Sequence, residues 1–217
     1  VRANLGSSCT SLRAIGPKVI CVTATELRII HENQSQDSPG DEVVACNGCL
    51  RMTFDGLNIW ASSHTTNQVY RFDLTRTFET DLVGCNSSAC HPNPKLPQLA
   101  ATIGVGTEPW GIEYDGERVW VANRSDDTVT VIDANTSGIL ATVSVGKQPQ
   151  EVLFDGESIW VLNVGDATVT KIVASTQTVQ GTFAVGTAPS ALSFDGEAIW
   201  VANSGDNTAT LLRHTDG

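Results

Sequence analysis

Basic residues are scarce in this 217-residue sequence: 13 Lys and Arg stand against 24 Asp and Glu, for a formal net charge of -11 and a pI near 4.6. A surface of that sign repels phosphate backbones and anionic headgroups, which argues against nucleic acid and a bare anionic membrane as partners. Long apolar runs are absent as well. None approaches the roughly 20 residues of a spanning helix, so no membrane insertion is expected. The 3.6-residue period of amphipathic helices is missing, which excludes a helical solenoid. No nucleophile elbow, phosphate loop or zinc-hydrolase motif occurs. The four His are scattered, and none forms a recurrent pair with an acid. Nothing in the chain supplies a catalytic signature.

What is present suits strands. Hydrophobic content is 41%, enough to exclude a disordered chain, while charged residues make up only 17%. Gly, Thr, Val, Ser and Asn are plentiful, a mix that favours strands and tight turns. The six Cys are Cys9, Cys21, Cys46, Cys49, Cys85 and Cys90. An even number points to disulfides in an oxidising compartment. The chain starts at Val1, as a processed export product would. Secretion, the periplasm or the cell surface is the expected location. N-glycosylation sequons begin at Asn33, Asn86, Asn123 and Asn135.

A 40-residue repeat organises the chain. Tyr114 to Asn123 aligns without a gap with Phe154 to Asn163 and with Phe194 to Asn203. Asp-Gly pairs fall at 115, 155 and 195, and Trp at 120, 160 and 200. Phe54-Asp55-Gly56 followed by Trp60 is a fourth copy, displaced by a 20-residue insertion. Gly16 with Val19 to Val22 marks a degenerate first copy. Each copy divides into four strands, as in Ile112 to Tyr114, Arg118 to Asn123, Thr128 to Asp133 and Ile139 to Val143. Asp115-Gly116 makes a hairpin turn between the first two. Four antiparallel strands per 40 residues is the blade of a β-propeller.

The expected fold is therefore all-β: one propeller domain over 1–217, of five four-stranded blades. The blades span about 7–46, 47–106 with an insertion at 76–96, 107–146, 147–186, and 187–217 completed by 1–6. Val1 to Gly6 aligns with the fourth strand Ala141 to Gly146, so the N-terminus is expected to close the ring.

Trp-Val-Ala-Asn at 120–123 and 200–203 and Trp-Val-Leu-Asn at 160–163 resemble the signature of YVTN-type β-propeller repeats. So do the following Asp-x-Thr-Val-Thr-Val-Ile-Asp and the closing Ala-Thr-Val-x-Val-Gly. The likeness is strongest over 105–217. It implies an exported propeller of the surface-layer-like kind. It implies no particular chemistry, because propellers host many functions.

Ligands are expected where the loops joining strands two to three meet those entering the next blade. The first set is His64 to Asn67, Arg124 to Asp127, Gly165 to Ala167 and Gly205 to Asn207. The second includes Thr107 to Trp110, Lys147 to Gln150 and Thr187 to Ser190. Asp127, Asp166 and Asp206 recur at one blade position. They read as turn caps, or alternatively as a carboxylate ring for a cation or ligand. Trp60, Trp120, Trp160 and Trp200 read as inter-blade core. Trp110 departs from the repeat, since its counterparts are Leu50, Gln150 and Ser190. Its alternative role is a stacking platform for a sugar or a partner's side chain. With Glu108 and His64 it completes the candidate binding set.

The insertion, from about Arg76 to Leu96, carries Cys85 and Cys90, which close a small disulfide loop. The remaining bridges lie among Cys9, Cys21, Cys46 and Cys49, with a Cys9–Cys49 staple between neighbouring blades as one option. Cys85-x4-Cys90-His91 also resembles a less common spacing of the c-type haem site. That alternative makes the chain a redox protein with His91 as axial ligand. A zinc site from Cys46, Cys49, Cys85 and Cys90 ranks lower. No cofactor is otherwise expected. The leading expectation is an exported binding or scaffold module, not an enzyme. It would engage a protein or glycan through the Trp110 face or the insertion, within a larger extracellular assembly. A propeller-type lyase or glycosidase is a further alternative, which would need acids such as Glu108 and Glu151 to converge.

Overall fold

A computed structural model describes residues 10–15, 18–23, 26–31, 42–75 and 98–213. They form five antiparallel sheets, each a meander in chain order. The first holds β1 (Ser11–Ile15), β2 (Lys18–Val22), β3 (Glu26–His31) and β4 (Glu42–Ala45). The second holds β5 (Cys49–Phe54), β6 (Asn58–Ser63), β7 (Gln68–Asp73) and β8 (Gln98–Gly104). The third holds β9 (Pro109–Tyr114), β10 (Arg118–Asn123), β11 (Thr128–Asp133) and β12 (Ile139–Ser144). The fourth holds β13 (Pro149–Phe154), β14 (Ser158–Asn163), β15 (Thr168–Val173) and β16 (Thr178–Ala184). The fifth holds β17 (Pro189–Phe194), β18 (Ala198–Asn203) and β19 (Thr208–Arg213). First strands neighbour one another in turn, β1 beside β5, β5 beside β9, β9 beside β13 and β13 beside β17.

The repeat places these strands closely. The first strand of each unit is longer than the sequence suggests, because it starts at the proline (Pro109, Pro149, Pro189) and absorbs a register shift before the regular ladder. A bulge at this point hides the period-2 signal.

One local device recurs four times. Asp115 Oδ1 accepts the backbone N–H groups of Glu117 (2.8 Å) and Arg118 (2.6 Å), closing the turn in which Gly116 takes φ +103°. Its other oxygen, Oδ2, accepts the indole N–H of Trp120 at 2.8 Å. Asp55, Asp155 and Asp195 do the same for Trp60, Trp160 and Trp200 at 2.6–2.7 Å. Such a partner is what a buried indole N–H requires.

The core lies between sheets. Trp60 packs with Ile112, Val119 and Val121 of the third sheet. Trp120 meets Val152, Ile159 and Val161 of the fourth, and Trp160 meets Leu192, Ile199 and Val201 of the fifth. All three Trp side chains are fully buried. Trp200 departs from the expectation: it is 43% exposed, because no described sheet covers the far side of the fifth. Among the described residues β19 pairs with β18 alone. The closing strand expected from Val1 to Gly6 lies outside the described residues. No helix of the described residues is long and apolar enough to cross a membrane.

Candidate ligand-binding face

The loops entering the third and fourth sheets meet the β10–β11 loop on one face. Glu108 sits at φ +56° just before Pro109, a backbone form uncommon outside glycine. It is held there from both sides. Its N–H donates to Asn67 Oδ1 of the second sheet's loop at 3.0 Å, and its carbonyl accepts the Arg124 N–H at 3.0 Å. Its carboxylate then receives Arg124 Nη1 at 3.1 Å and the Ser125 hydroxyl at 2.6 Å. The Ser125 hydrogen bond and the Arg124 charge hold the Glu108 carboxyl below its ordinary value, so it is ionised at neutral pH.

Arg124 is fixed a second time. Its guanidinium lies 5.1 Å from the centre of the Trp110 ring, a cation–π contact. His64 approaches the same indole, with ring centres 6.3 Å apart, and its Nδ1 lies 3.0 Å from the Gly48 carbonyl. The Ser62 hydroxyl donates to the Trp110 carbonyl at 2.7 Å, tying the second sheet to the third. Trp110 Nε1 and Arg124 Nε are buried with no hydrogen-bond acceptor among the described residues.

A cleft of about 440 Å³ opens beside this cluster. Glu108, Arg124 and Ser125 form one wall. Asp127, Lys147, Gln148 and Gly165 form the rest. A Cβ on Gly165 would sit 3.0 Å from both Lys147 and Gln148, so glycine lets these loops close together. The lining contains no aliphatic side chain.

Of the residues expected here, Trp110, Glu108 and His64 converge, and Asp127 borders the same cleft. Trp110 does not stand clear as a platform, because Arg124 lies over its ring. The acids do not form the ring first drawn. The equivalent positions are Asp126, Asp166 and Asp206, which accept the backbone N–H groups of Thr107 (2.6 Å), Lys147 (3.0 Å) and Thr187 (2.9 Å). Asp127 is one residue further on, equivalent to Asn67, and its Oδ1 caps the Gln148 N–H at 2.8 Å across two sheets. These carboxylates cap N–H groups of neighbouring loops 19–21 residues away in sequence, whereas the sequence reading expects caps on their own turns. Glu151 does not join Glu108. It lies on β13, where its carboxylate accepts the Leu192 N–H at 2.8 Å and burial raises its pKa. Sequence reading put Arg124 and Lys147 in the ligand-face loops without singling them out. The signal available was that Arg124 has the uncharged counterparts Val164 and Ser204 in the repeat.

Cys46 and Cys49 are joined by a disulfide, which corrects the Cys9–Cys49 staple and removes these two thiols from any zinc site. Among the described residues no group of three His, Cys, Asp or Glu is placed to hold a metal. Cys9, Cys85, Cys90 and His91 lie outside the described residues, as does the Cys21 side chain, so the haem alternative does too.

No family model and no curated protein sequence matches this chain. Solved structures match in fold. A streptogramin B lyase superposes with a TM-score of 0.69 at 13% identity, over 97% of this chain and 67% of that one. A catalytically inactive histidine-to-alanine variant of virginiamycin B lyase from Staphylococcus aureus, solved with quinupristin, gives 0.71 at 12%, over 100% and 70%. Hydrazine synthase from Kuenenia stuttgartiensis gives 0.68 at 14%, over 99% and 68%. This chain thus spans about two thirds of each. These are β-propeller proteins, and the likeness defines the class: the chain has a β-propeller fold of four-stranded antiparallel blades. At such identity it carries fold and no shared activity.

Proposed function

We propose that this chain is an exported propeller scaffold that binds a glycan or protein partner on the face built around Arg124. The observation that carries the reading is the cleft itself. Its arginine is held by Glu108 and by the Trp110 ring before any ligand arrives. Pre-positioned polar groups around a cleft of this size are what recognition of a small polar group requires. A lining without aliphatic side chains suits a sugar better than an apolar side chain. The Cys46–Cys49 disulfide supports an oxidising compartment outside the cytoplasm.

A screen of immobilised glycans and peptides against the wild type and Lys147→Ala tests this reading. Lys147 borders the cleft, and removing its side chain breaks none of the carboxylate caps described above. Binding that the variant weakens supports the site; binding equal in both proteins places it elsewhere.

One observation favours a second reading, a lyase. His64 stands beside Trp110 and lowers the Glu108 carboxyl electrostatically, which sets an imidazole and an ionised carboxylate on the ligand face. Two of the fold relatives are lyases, one of them inactivated by replacing a histidine. Turnover of quinupristin that His64→Ala abolishes would establish this second reading.

A further inference from the structure

Basic side chains gather at one place on the ligand face of an otherwise acidic chain. The described loops of that face run through 46–48, 63–67, 105–108, 124–127, 145–148, 164–167, 185–188 and 204–207, and the Lys and Arg residues among them are Arg124 and Lys147. The two come from different sheets. Arg124 lies in the β10–β11 loop and Lys147 in the loop entering the fourth sheet, yet both line the same cleft of about 440 Å³. The repeat requires neither of them. Lys147 aligns with Asn47, Thr107 and Thr187, and Arg124 with His64, Val164 and Ser204. The backbone under Lys147 is fixed: its N–H donates to Asp166 Oδ2 at 3.0 Å, and its carbonyl accepts the Gly165 N–H at 2.9 Å.

The hydrogen-bonding capacity of the lining is spent unevenly. Glu108 commits both carboxylate oxygens, to Arg124 Nη1 and to the Ser125 hydroxyl. Asp127 commits Oδ1 to the Gln148 N–H. Among the described residues Lys147 Nζ and Arg124 Nη2 have no acceptor, and Asp127 Oδ2 has no donor. The cleft therefore keeps two cationic donors, the Gln148 amide and one carboxylate oxygen for a ligand. We infer that this ligand is an acidic glycan built of uronic acid residues, its carboxylate taken by Lys147 and Arg124 and its ring hydroxyls by Gln148 and Asp127 Oδ2. The inference rests on the ligand face proposed above and names what that face binds. A carboxylate gives both cations a charge-assisted partner, whereas a neutral sugar leaves Lys147 unmatched. Ring hydroxyls donate to Asp127, whereas an acidic peptide sets its own carboxylates against it. The net charge of -11 discourages anions over the rest of the surface, so a polyanion is held only where cations converge.

Calorimetric titration of the full chain tests this with tetramers of galacturonate, mannuronate and glucuronate, each beside its methyl ester. The ester keeps the ring hydroxyls and removes the charge. The expected result is that at least one acid tetramer binds and that added salt weakens it. Its methyl ester, and the acid tetramer on Lys147→Gln, should each bind about tenfold more weakly or worse, while Lys147→Arg keeps most of the affinity. Lys147 is exposed, so unfolding midpoints of both variants should match the wild type. Acid and ester bound alike, both weakened in Lys147→Gln, overturn the acidic ligand and leave the face standing. Acid binding that Lys147→Gln leaves unchanged removes the uronate from this cleft. Poly-glutamate bound more tightly than every tetramer makes the ligand an acidic peptide. No binding of any tetramer overturns the inference, and the broader screen of glycans and peptides then decides the face by itself.

Discussion

The carboxylate of Asp115 accepts the indole N–H of Trp120 at 2.8 Å while capping its own turn, so a single side chain couples a hairpin to the core between two sheets. The same pair recurs as Asp155 with Trp160 and Asp195 with Trp200. This explains why Asp and Trp keep a fixed spacing of five residues through the repeat. Removing the acceptor strands a buried donor, at a cost of about 1–3 kcal/mol, and also removes two backbone caps. Asp155→Ala is expected to lower stability by about 2–3 kcal/mol in urea unfolding. Asp195→Ala should cost less, because water reaches Trp200. Equal losses in the two variants would show that the caps, and not the indole bond, carry the effect.

Burial makes a parallel distinction among the tryptophans. Trp160→Ala empties a site closed by Leu192, Ile199 and Val201 and should cost about 3–5 kcal/mol. Trp200→Ala, at a side chain 43% exposed, should cost less than half as much. Urea unfolding of both variants checks the ratio.

Much of this was legible in the sequence, and its limits have physical causes. The strands, their order and the four-stranded unit follow from the 40-residue register, because turn residues and alternating apolar positions are local signals. The inter-sheet roles of Trp60, Trp120 and Trp160 follow from the same register. That of Trp200 does not, since burial depends on what stands next to a sheet. Glu108 and His64 entered the candidate set, and Trp110 stood out as a departure from the repeat. Arg124 and Lys147 did not, because a charged loop residue looks like ordinary solvent-facing surface until the fold sets it against a partner. The one-residue misplacement of Asp127 arose in the same way: neighbouring Asp126 and Asp127 look alike in sequence but cap different loops.

Glu151 gives a pH signature. Burial raises its carboxyl pKa in the folded chain, only partly offset by the Leu192 N–H and the charge of Arg51. A carboxyl raised on folding favours the native state while protonated, and that contribution is lost as pH rises through the folded pKa. Glu151→Gln keeps an acceptor for Leu192 and removes the charge. Its stability relative to the wild type should therefore rise from pH 3 to pH 7, as measured by unfolding midpoints across that range. A constant difference would contradict the assignment.

Glycosylation should discriminate between two sequons. Asn123 is fully buried, with Nδ2 donating to Thr128 (3.0 Å) and Thr130 (2.9 Å), whereas Asn135 is exposed. Expression in a host that N-glycosylates secreted proteins, followed by peptide mass mapping, should find glycan at Asn135 and none at Asn123.

The binding face responds to acid in the opposite sense to Glu151. The Glu108 carboxyl is held below its ordinary value, so the contribution of its pairing with Arg124 is present above the carboxylate range and lost as pH falls through it. Affinity for whichever partner the screen returns should fall in the same range. Glu108→Gln should bind more weakly at pH 7 and show a flatter pH profile in calorimetric titration.

The central claim, recognition at the Arg124 face, is tested most directly by hydrogen exchange of the protein with and without the partner found by the screen. The account predicts slowed exchange at 106–110, 123–128 and 147–150, the three segments that enclose the cleft. Protection confined to the insertion at 76–96, with those three segments unchanged, would contradict it.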